Sequence, residues 1–201
     1  MGNIMEALFC IFYLIATTII GALILKHSKK RKAFIVFGVM SLILVFGDSF
    51  HLIPRILVAF DKTGDYHVSL GIGKLVTSIT MTFFYLILYW FYEIRHGKKN
   101  WPLRIILLVL GLARIALCLF PQNDWTGSAP VIWGIYRNIP FVIMGIIIVV
   151  LFFLKRNDKP FRFMWLAITL SFAFYLPVVL WADKYTIIGM LMLPKTIMYM
   201  W

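Results

Sequence analysis

Long apolar stretches separated by short polar segments dominate the pattern of this chain. A membrane-spanning helix needs about 20 mostly apolar residues, with a range of roughly 17–25. Seven stretches are long and apolar enough to predict such a helix: 5–25, 33–58, 68–93, 102–120, 131–154, 161–182 and 185–201. Because they take up most of the chain, we expect an all-α integral membrane bundle of seven helices that forms a single domain over residues 1–201.

Composition supports a membrane protein and excludes a soluble domain. Hydrophobic residues make up 62% of the chain and the mean hydropathy is +0.92, whereas soluble domains contain roughly 45–50% apolar residues. The histidines and cysteines lack the spacing of metal ligands, and no glycine-rich phosphate loop is present. We therefore expect no metal, no cofactor and no nucleic-acid partner, with the lipid bilayer as surroundings. The pattern does not predict an oligomeric state.

Lysine and arginine set the orientation, because they are enriched in cytoplasmic loops. Three alternate loops and their flanks carry thirteen of the 20 basic residues: Lys26, Lys29, Lys30, Arg31, Lys32, Arg95, Lys98, Lys99, Arg104, Lys155, Arg156, Lys159 and Arg162. The other loops carry only two, together with most of the loop aspartates. This asymmetry predicts a multi-pass protein of the cell membrane with its N-terminus outside and its C-terminus inside.

Five basic residues lie within the apolar stretches: Arg55, Lys74, Arg114, Arg137 and Lys195. Each such residue costs about 2.5–3.5 kcal/mol on the insertion scale, so each needs a physical reason. With the predicted orientation, four of them come from different helices yet lie in the outer half of the membrane, and the fifth lies near the middle. Their clustering opposes the usual distribution of positive charge and indicates a shared role.

Two structural explanations compete with a functional one. Arg55 and Lys74 lie near helix ends, where a long side chain can extend to the interface. Asp48 and Glu6 could pair with two of the five cations. The remaining cations would still need an anion, because arginine does not readily lose its proton. We therefore expect a bound anion, or a water-filled cavity open to the outside.

The second stretch contains the densest group of polar side chains. Asp48, His51 and Arg55 are spaced three and seven residues apart, which places them on one face of a helix. Pro54 frees a backbone carbonyl and favours a kink beside this face. Two interpretations remain open: Asp48 and His51 form an acid–base pair, or Asp48 and Arg55 form a structural clamp.

The third and fifth stretches carry further polar positions. Lys74 and Ser78 lie one helical turn apart, and Ser78 either lines a cavity or helps helices to pack. Arg137 is followed by Asn138 and then by Pro140, which also favours a kink. Lys195 follows a proline in the last stretch, and we expect it to form the floor of the site.

One arrangement of residues resembles a known family. Gly47-Asp48 late in the second stretch, a short outer loop and then Leu70-Gly71 resemble the YhhN-type lysoplasmalogenase family of polytopic membrane proteins. The resemblance implies cleavage of the vinyl-ether bond of lysoplasmalogens, with Asp48 as the acidic residue that carries over. Where the family has a later Ser-Asp, this chain has Ser171-Phe172, so the second acid is missing.

Two functions follow from these observations. The first is binding, sensing or transport of an anionic ligand, lipid-like or small, in an outward-facing cavity within the membrane. The second is hydrolysis of a lipid, with Asp48 and His51 activating water. The residues expected to form the ligand site are Asp48, His51, Arg55, Lys74, Ser78, Arg114, Arg137, Asn138 and Lys195.

Overall fold

A computed structural model describes residues 2–61, 64–97, 99–182 and 184–200, and all the regular structure in these ranges is helical. The six long helices are α1 (Gly2–Lys26), α2 (Lys32–Phe60), α3 (His67–His96), α4 (Trp101–Leu119), α5 (Val131–Leu154) and α6 (Met164–Trp181). Two short helices follow, α7 (Thr186–Gly189) and α8 (Met192–Met200). Single 3₁₀ turns lie at Pro121–Asn123 and Lys159–Phe161.

Six of these helices are long and apolar enough to cross a membrane. Their outward surfaces carry large apolar side chains with no protein around them, as lipid-facing helices require. Examples from five helices are Phe12, Phe46, Trp90, Leu112 and Ile146. The expectation of an all-helical membrane protein is therefore confirmed at this level.

The seventh expected span, 185–201, is two short helices rather than one long one. A nine-residue helix such as α8 rises about 13.5 Å, less than half of a hydrocarbon core of about 30 Å. Pro194 explains the restart, because proline has no N–H to bond backwards and is best accommodated in the first turn of a helix. It occupies the third residue of α8, just after the turn at Met190–Leu191.

Helix α8 packs mainly against α6 and also touches α1. Consecutive long helices are neighbours, and the tightest packing joins α1, α2 and α3. Glycines allow this close approach. A Cβ on Gly73 of α3 would meet the Phe50 carbonyl oxygen and the Cα of His51, and a Cβ on Gly47 of α2 would meet the Thr80 side chain.

The two ends of the bundle differ in charge. We call the end that carries residues 26–32, 95–104 and 155–162 the basic end. There, Arg95 donates two hydrogen bonds of 2.9 Å to Asp158, and its guanidinium keeps the pKa of that carboxyl below its usual range. At the opposite end, the loop between α4 and α5 folds back onto the helices, and its Trp125 carbonyl lies against Gly71.

Candidate functional site

Tyr175 on α6 lies at the centre of the polar groups in the bundle. Its hydroxyl donates a 2.8 Å hydrogen bond to Asn138 Oδ1 on α5. The Lys195 ammonium on α8 lies 4.6 Å from the centre of its ring. Arg114 and Arg137 both interact electrostatically with it. Three helices, α4, α5 and α8, therefore bring four of the predicted site residues around one tyrosine.

Arg114 is the largest fully buried side chain, at 2% exposure. Its guanidinium carbon lies 3.3 Å from the centre of the Phe141 ring, so a cation–π contact covers one face. Its Nε and Nη1 are buried without a hydrogen-bond partner, and no carboxylate within 4 Å pairs with it in the described part of the chain. Buried polar groups are nearly always hydrogen-bonded in folded proteins, so these two donors require an explanation.

Lys195 is the second buried cation, at 8% exposure. Its ammonium lies between the Tyr175 and Tyr199 rings, 4.6 Å and 5.6 Å from their centres. It is attracted by Asp48 and repelled by Arg114. Helix α8, which begins at Met192, carries the ammonium into the interior of the bundle. Lys195 thus connects Arg114 to the polar residues of α2.

Asp48 on α2 is bound by Tyr13 of α1 rather than by a neighbour on its own helix. The fully buried Tyr13 donates a 2.7 Å hydrogen bond to Asp48 Oδ2. Among the described residues, no hydrogen bond joins Asp48 to His51. The buried Nδ1 of His51 has no partner. The interpretation of Asp48 and His51 as a bonded acid–base pair therefore lacks the contact it needs.

Arg55 forms its ion pair with Glu6, not with Asp48. Its Nε lies 2.7 Å from Glu6 Oε1, and both side chains are partly exposed. Helix α1 runs alongside α2 and brings Glu6 next to Arg55, whereas Asp48, two turns earlier on α2, accepts a hydrogen bond from Tyr13. The clamp between Asp48 and Arg55 is therefore absent, and pairing with Glu6, the other structural expectation, is present.

The remaining predicted residues lie outside the buried cluster or hold it in place. Lys74 is exposed, and the Ser78 hydroxyl donates to its carbonyl at 2.8 Å. Arg137 is half-buried and donates to Asn123 Oδ1 at 2.8 Å, while its guanidinium lies 4.2 Å from the centre of the Trp125 ring. Arg137 therefore ties the loop after α4 to the bundle.

Three tyrosines that the sequence did not single out complete the site: Tyr13, Tyr175 and Tyr199. Tyr199 interacts through its hydroxyl with Ser171 and Tyr85. For Tyr13 and Tyr175 the available signal was their position, since both lie within apolar stretches rather than at the ends, where interfacial tyrosines are expected. We call this set of buried and partly buried side chains the polar core, and it consists of Tyr13, Asp48, Tyr85, Arg114, Asn138, Ser171, Tyr175, Lys195 and Tyr199.

Charge in this region is unbalanced. Arg114, Lys195 and the half-buried Arg137 contribute three positive charges, and Asp48 is the one carboxylate among the described residues that interacts with Lys195. The aromatic contacts described above reduce the cost of the excess charge without neutralising it. This region therefore carries an excess of positive charge.

A cavity of about 640 Å³ opens at the basic end, between the halves of α1, α2, α3 and α6 that are nearest to that end. None of the nine predicted site residues lines it, and it touches the polar core through Tyr199. Met198 and Tyr199, in the last turn of α8, form one of its walls. We assign no ligand to this space. The outward-facing cavity expected from the sequence stays a prediction.

Comparisons of the chain with family models, curated proteins and solved structures found no match. The argument for function therefore rests on the polar core itself. Among the described residues, no group of three or more histidine, cysteine or acidic side chains is placed to hold a metal ion.

Proposed function

We propose that this chain is a multi-pass membrane protein that binds an anionic ligand at the polar core. The observation that carries the proposal is Arg114, which is buried with two nitrogens that have no hydrogen-bond partner. Arginine keeps its proton, and an anion that accepts these hydrogen bonds would remove the largest electrostatic cost in the bundle. Lys195 adds a second cation beside it.

The ligand chemistry is that of a compact anionic group, a halide, a carboxylate or a phosphate. A free anion and the headgroup of a lipid share this chemistry. In our proposal the basic end faces the cytoplasm of a cell membrane. The six long helices and the C-terminal segment with α8 together form one domain. The polar core then lies in the outer half and is reached past Arg137 and Asn123. Binding, sensing and transport are all compatible with such a site.

A binding experiment tests this function. The purified protein in detergent is unfolded by heat at constant ionic strength, with sodium gluconate replaced stepwise by chloride, phosphate, butyrate or lysophosphatidylglycerol. We expect saturable stabilisation by at least one of these anions, because an anion that binds the folded state shifts the unfolding equilibrium. Stabilisation by the small anions indicates a free anion, and stabilisation by the lysolipid alone indicates a headgroup.

Two variants decide whether the polar core is responsible. Arg114→Gln should abolish the stabilisation. Arg156→Gln is the matched control, because Arg156 also stacks on an aromatic ring, that of Phe153 at 4.6 Å, but lies exposed at the basic end. The proposal fails if no anion stabilises the protein, or if the Arg114 variant responds like the unmodified protein.

The resemblance to lysoplasmalogenases supplies the rival function. The feature in its favour is His51, whose buried and unpartnered Nδ1 lies one turn from Asp48. Addition of water to a vinyl ether yields an aldehyde and an alcohol, so incubation with a lysoplasmalogen would release a fatty aldehyde. Turnover that is lost in Asp48→Asn would favour the enzyme and displace simple binding as the main function.

A further inference from the structure

Asp48 and a bound anion would compete for the same ammonium. In the described part of the chain, Lys195 is attracted by one carboxylate, that of Asp48, and it has no ion pair within 4 Å. An anion placed between Lys195 and Arg114 would be attracted by both cations and repelled by the Asp48 carboxylate. Repulsion between like charges is strong where water is excluded, so the two negative charges oppose each other.

We infer that anion binding at the polar core is coupled to protonation of Asp48. The inference rests on the proposed function, and it adds that a proton binds together with the anion. When the anion binds, a proton from solvent forms an O–H bond on the Asp48 carboxylate. One negative charge enters and one positive charge enters with it, so the net charge of the polar core is unchanged. Lys195 is then no longer attracted by a charge on Asp48, and its ammonium interacts with the anion.

Tyr13 is suited to hold Asp48 in both states. Its hydroxyl donates to Oδ2 at 2.7 Å, which leaves Oδ1 free to carry the added proton. The carboxyl group therefore keeps its position while its charge changes. The other ionisable groups that interact with Asp48 are Cys10 from α1 and Lys195 and Tyr199 from α8. On the α3 side, Thr77 donates to the Gly47 carbonyl, so α3 adds no charge there.

A path for the proton runs along one face of α1. Glu6, Cys10 and Tyr13 are spaced four and three residues apart, and Glu6 is partly exposed in its ion pair with Arg55. A small space of about 10 Å³ lies between Glu6, Cys10, Tyr13 and Thr196, close to the volume that one water requires. Solvent therefore reaches Glu6, and Cys10 and Tyr13 continue along the same face of α1 to Asp48.

The pH dependence of anion affinity tests the coupling. The anion that stabilises the unmodified protein is titrated from pH 5 to pH 7, where the Lys195 ammonium keeps its proton. Linkage requires affinity to increase as pH falls, by up to about tenfold per pH unit where one proton is taken up per anion. In a weakly buffered solution, addition of the anion should also make the medium more alkaline. Asp48→Asn should bind with the same high affinity at every pH and take up no proton.

Two further variants separate Asp48 from other groups. His51→Gln removes the nearby imidazole, and we expect its pH profile to match that of the unmodified protein. Tyr13→Phe removes a hydrogen bond that stabilises the carboxylate, so the rise in affinity should begin at a higher pH; this variant also tests the coupling if Asp48→Asn does not fold. A pH-independent affinity, or a pH dependence that persists in Asp48→Asn, overturns the coupling and leaves the proposed function intact. Absence of anion binding at every pH defeats the proposed function itself.

Discussion

At the scale of single residues, Arg114 is a buried cation whose hydrogen-bonding donors are only partly used. An arginine in the centre of a membrane helix costs about 2.5–3.5 kcal/mol on the insertion scale. Its stacking on Phe141 returns up to about 2 kcal/mol for a desolvated cation–π contact. Two of its nitrogens have no hydrogen-bond partner, which adds to the cost of burying this side chain.

Arg114→Met should therefore raise stability and remove function at the same time. Without added anion, we expect the free energy of unfolding to increase by about 1–3 kcal/mol, because a charged group with unmet hydrogen bonds becomes a well-packed apolar one. Unfolding in mixed detergent micelles, followed by tryptophan fluorescence, measures the change. Added anion should no longer stabilise the variant. A large loss of stability without anion would mean that Arg114 already has the partners it needs.

Glu93 is also a buried charge, but unlike Arg114 it has hydrogen-bond partners for its charged group. At 4% exposure, it accepts hydrogen bonds from the Arg104 guanidinium, the Asn100 backbone N–H and the Tyr89 hydroxyl. Glu93→Ala removes a shared acceptor and should lower the free energy of unfolding by about 1–3 kcal/mol.

The matched comparison for Glu93 is Asp158, whose ion pair with Arg95 is open to solvent. Exposed pairs contribute about 1 kcal/mol or less, so Asp158→Ala should have the smaller effect in the same unfolding assay. Equal losses from the two variants would show that burial does not set the value of these pairs.

At the scale of helices, hydropathy predicts where most spans lie but not how they end or pair. The six long helices follow from composition because the bilayer imposes their length. The last stretch differs because hydropathy counts apolar residues and ignores the hydrogen bond that Pro194 cannot make. Partner choice depends on which helices are neighbours: Arg55 has Asp48 on its own helix, yet it pairs with Glu6 of α1. For the same reason Tyr175 could not be identified as the centre of the site.

The contact between α2 and α3 depends on glycine. Gly73→Ala would place a methyl group against the backbone at Phe50 and His51, which cannot move aside as a side chain can. We expect a loss of about 1–3 kcal/mol in the free energy of unfolding, as for other overpacked sites. Gly189→Ala is the control, since a Cβ there meets nothing within 4 Å. Comparable behaviour of the two variants would show that the helices tolerate a wider separation.

At the scale of the whole molecule, the difference in charge between the two ends predicts orientation. Lys30 is exposed at the basic end and Thr126 is exposed at the opposite end. In a background with Cys10 and Cys118 replaced by alanine, Thr126→Cys should react with a membrane-impermeant maleimide added to intact cells. Lys30→Cys should react only after the cells are opened. The reverse labelling pattern would invert the molecule and place the polar core in the inner half of the membrane.

The accessibility of the Cys118 thiol can report motion at the end of the bundle opposite the basic end. This thiol is 1% exposed and interacts electrostatically with both Arg114 and Arg137. The loop after α4 lies next to it, since the Trp125 indole N–H donates to the Cys118 carbonyl at 2.9 Å. We expect a reagent to reach the sulfur when this loop moves away from the helices. The alkylation rate of the unmodified chain would then measure how often the end of the bundle opposite the basic end opens.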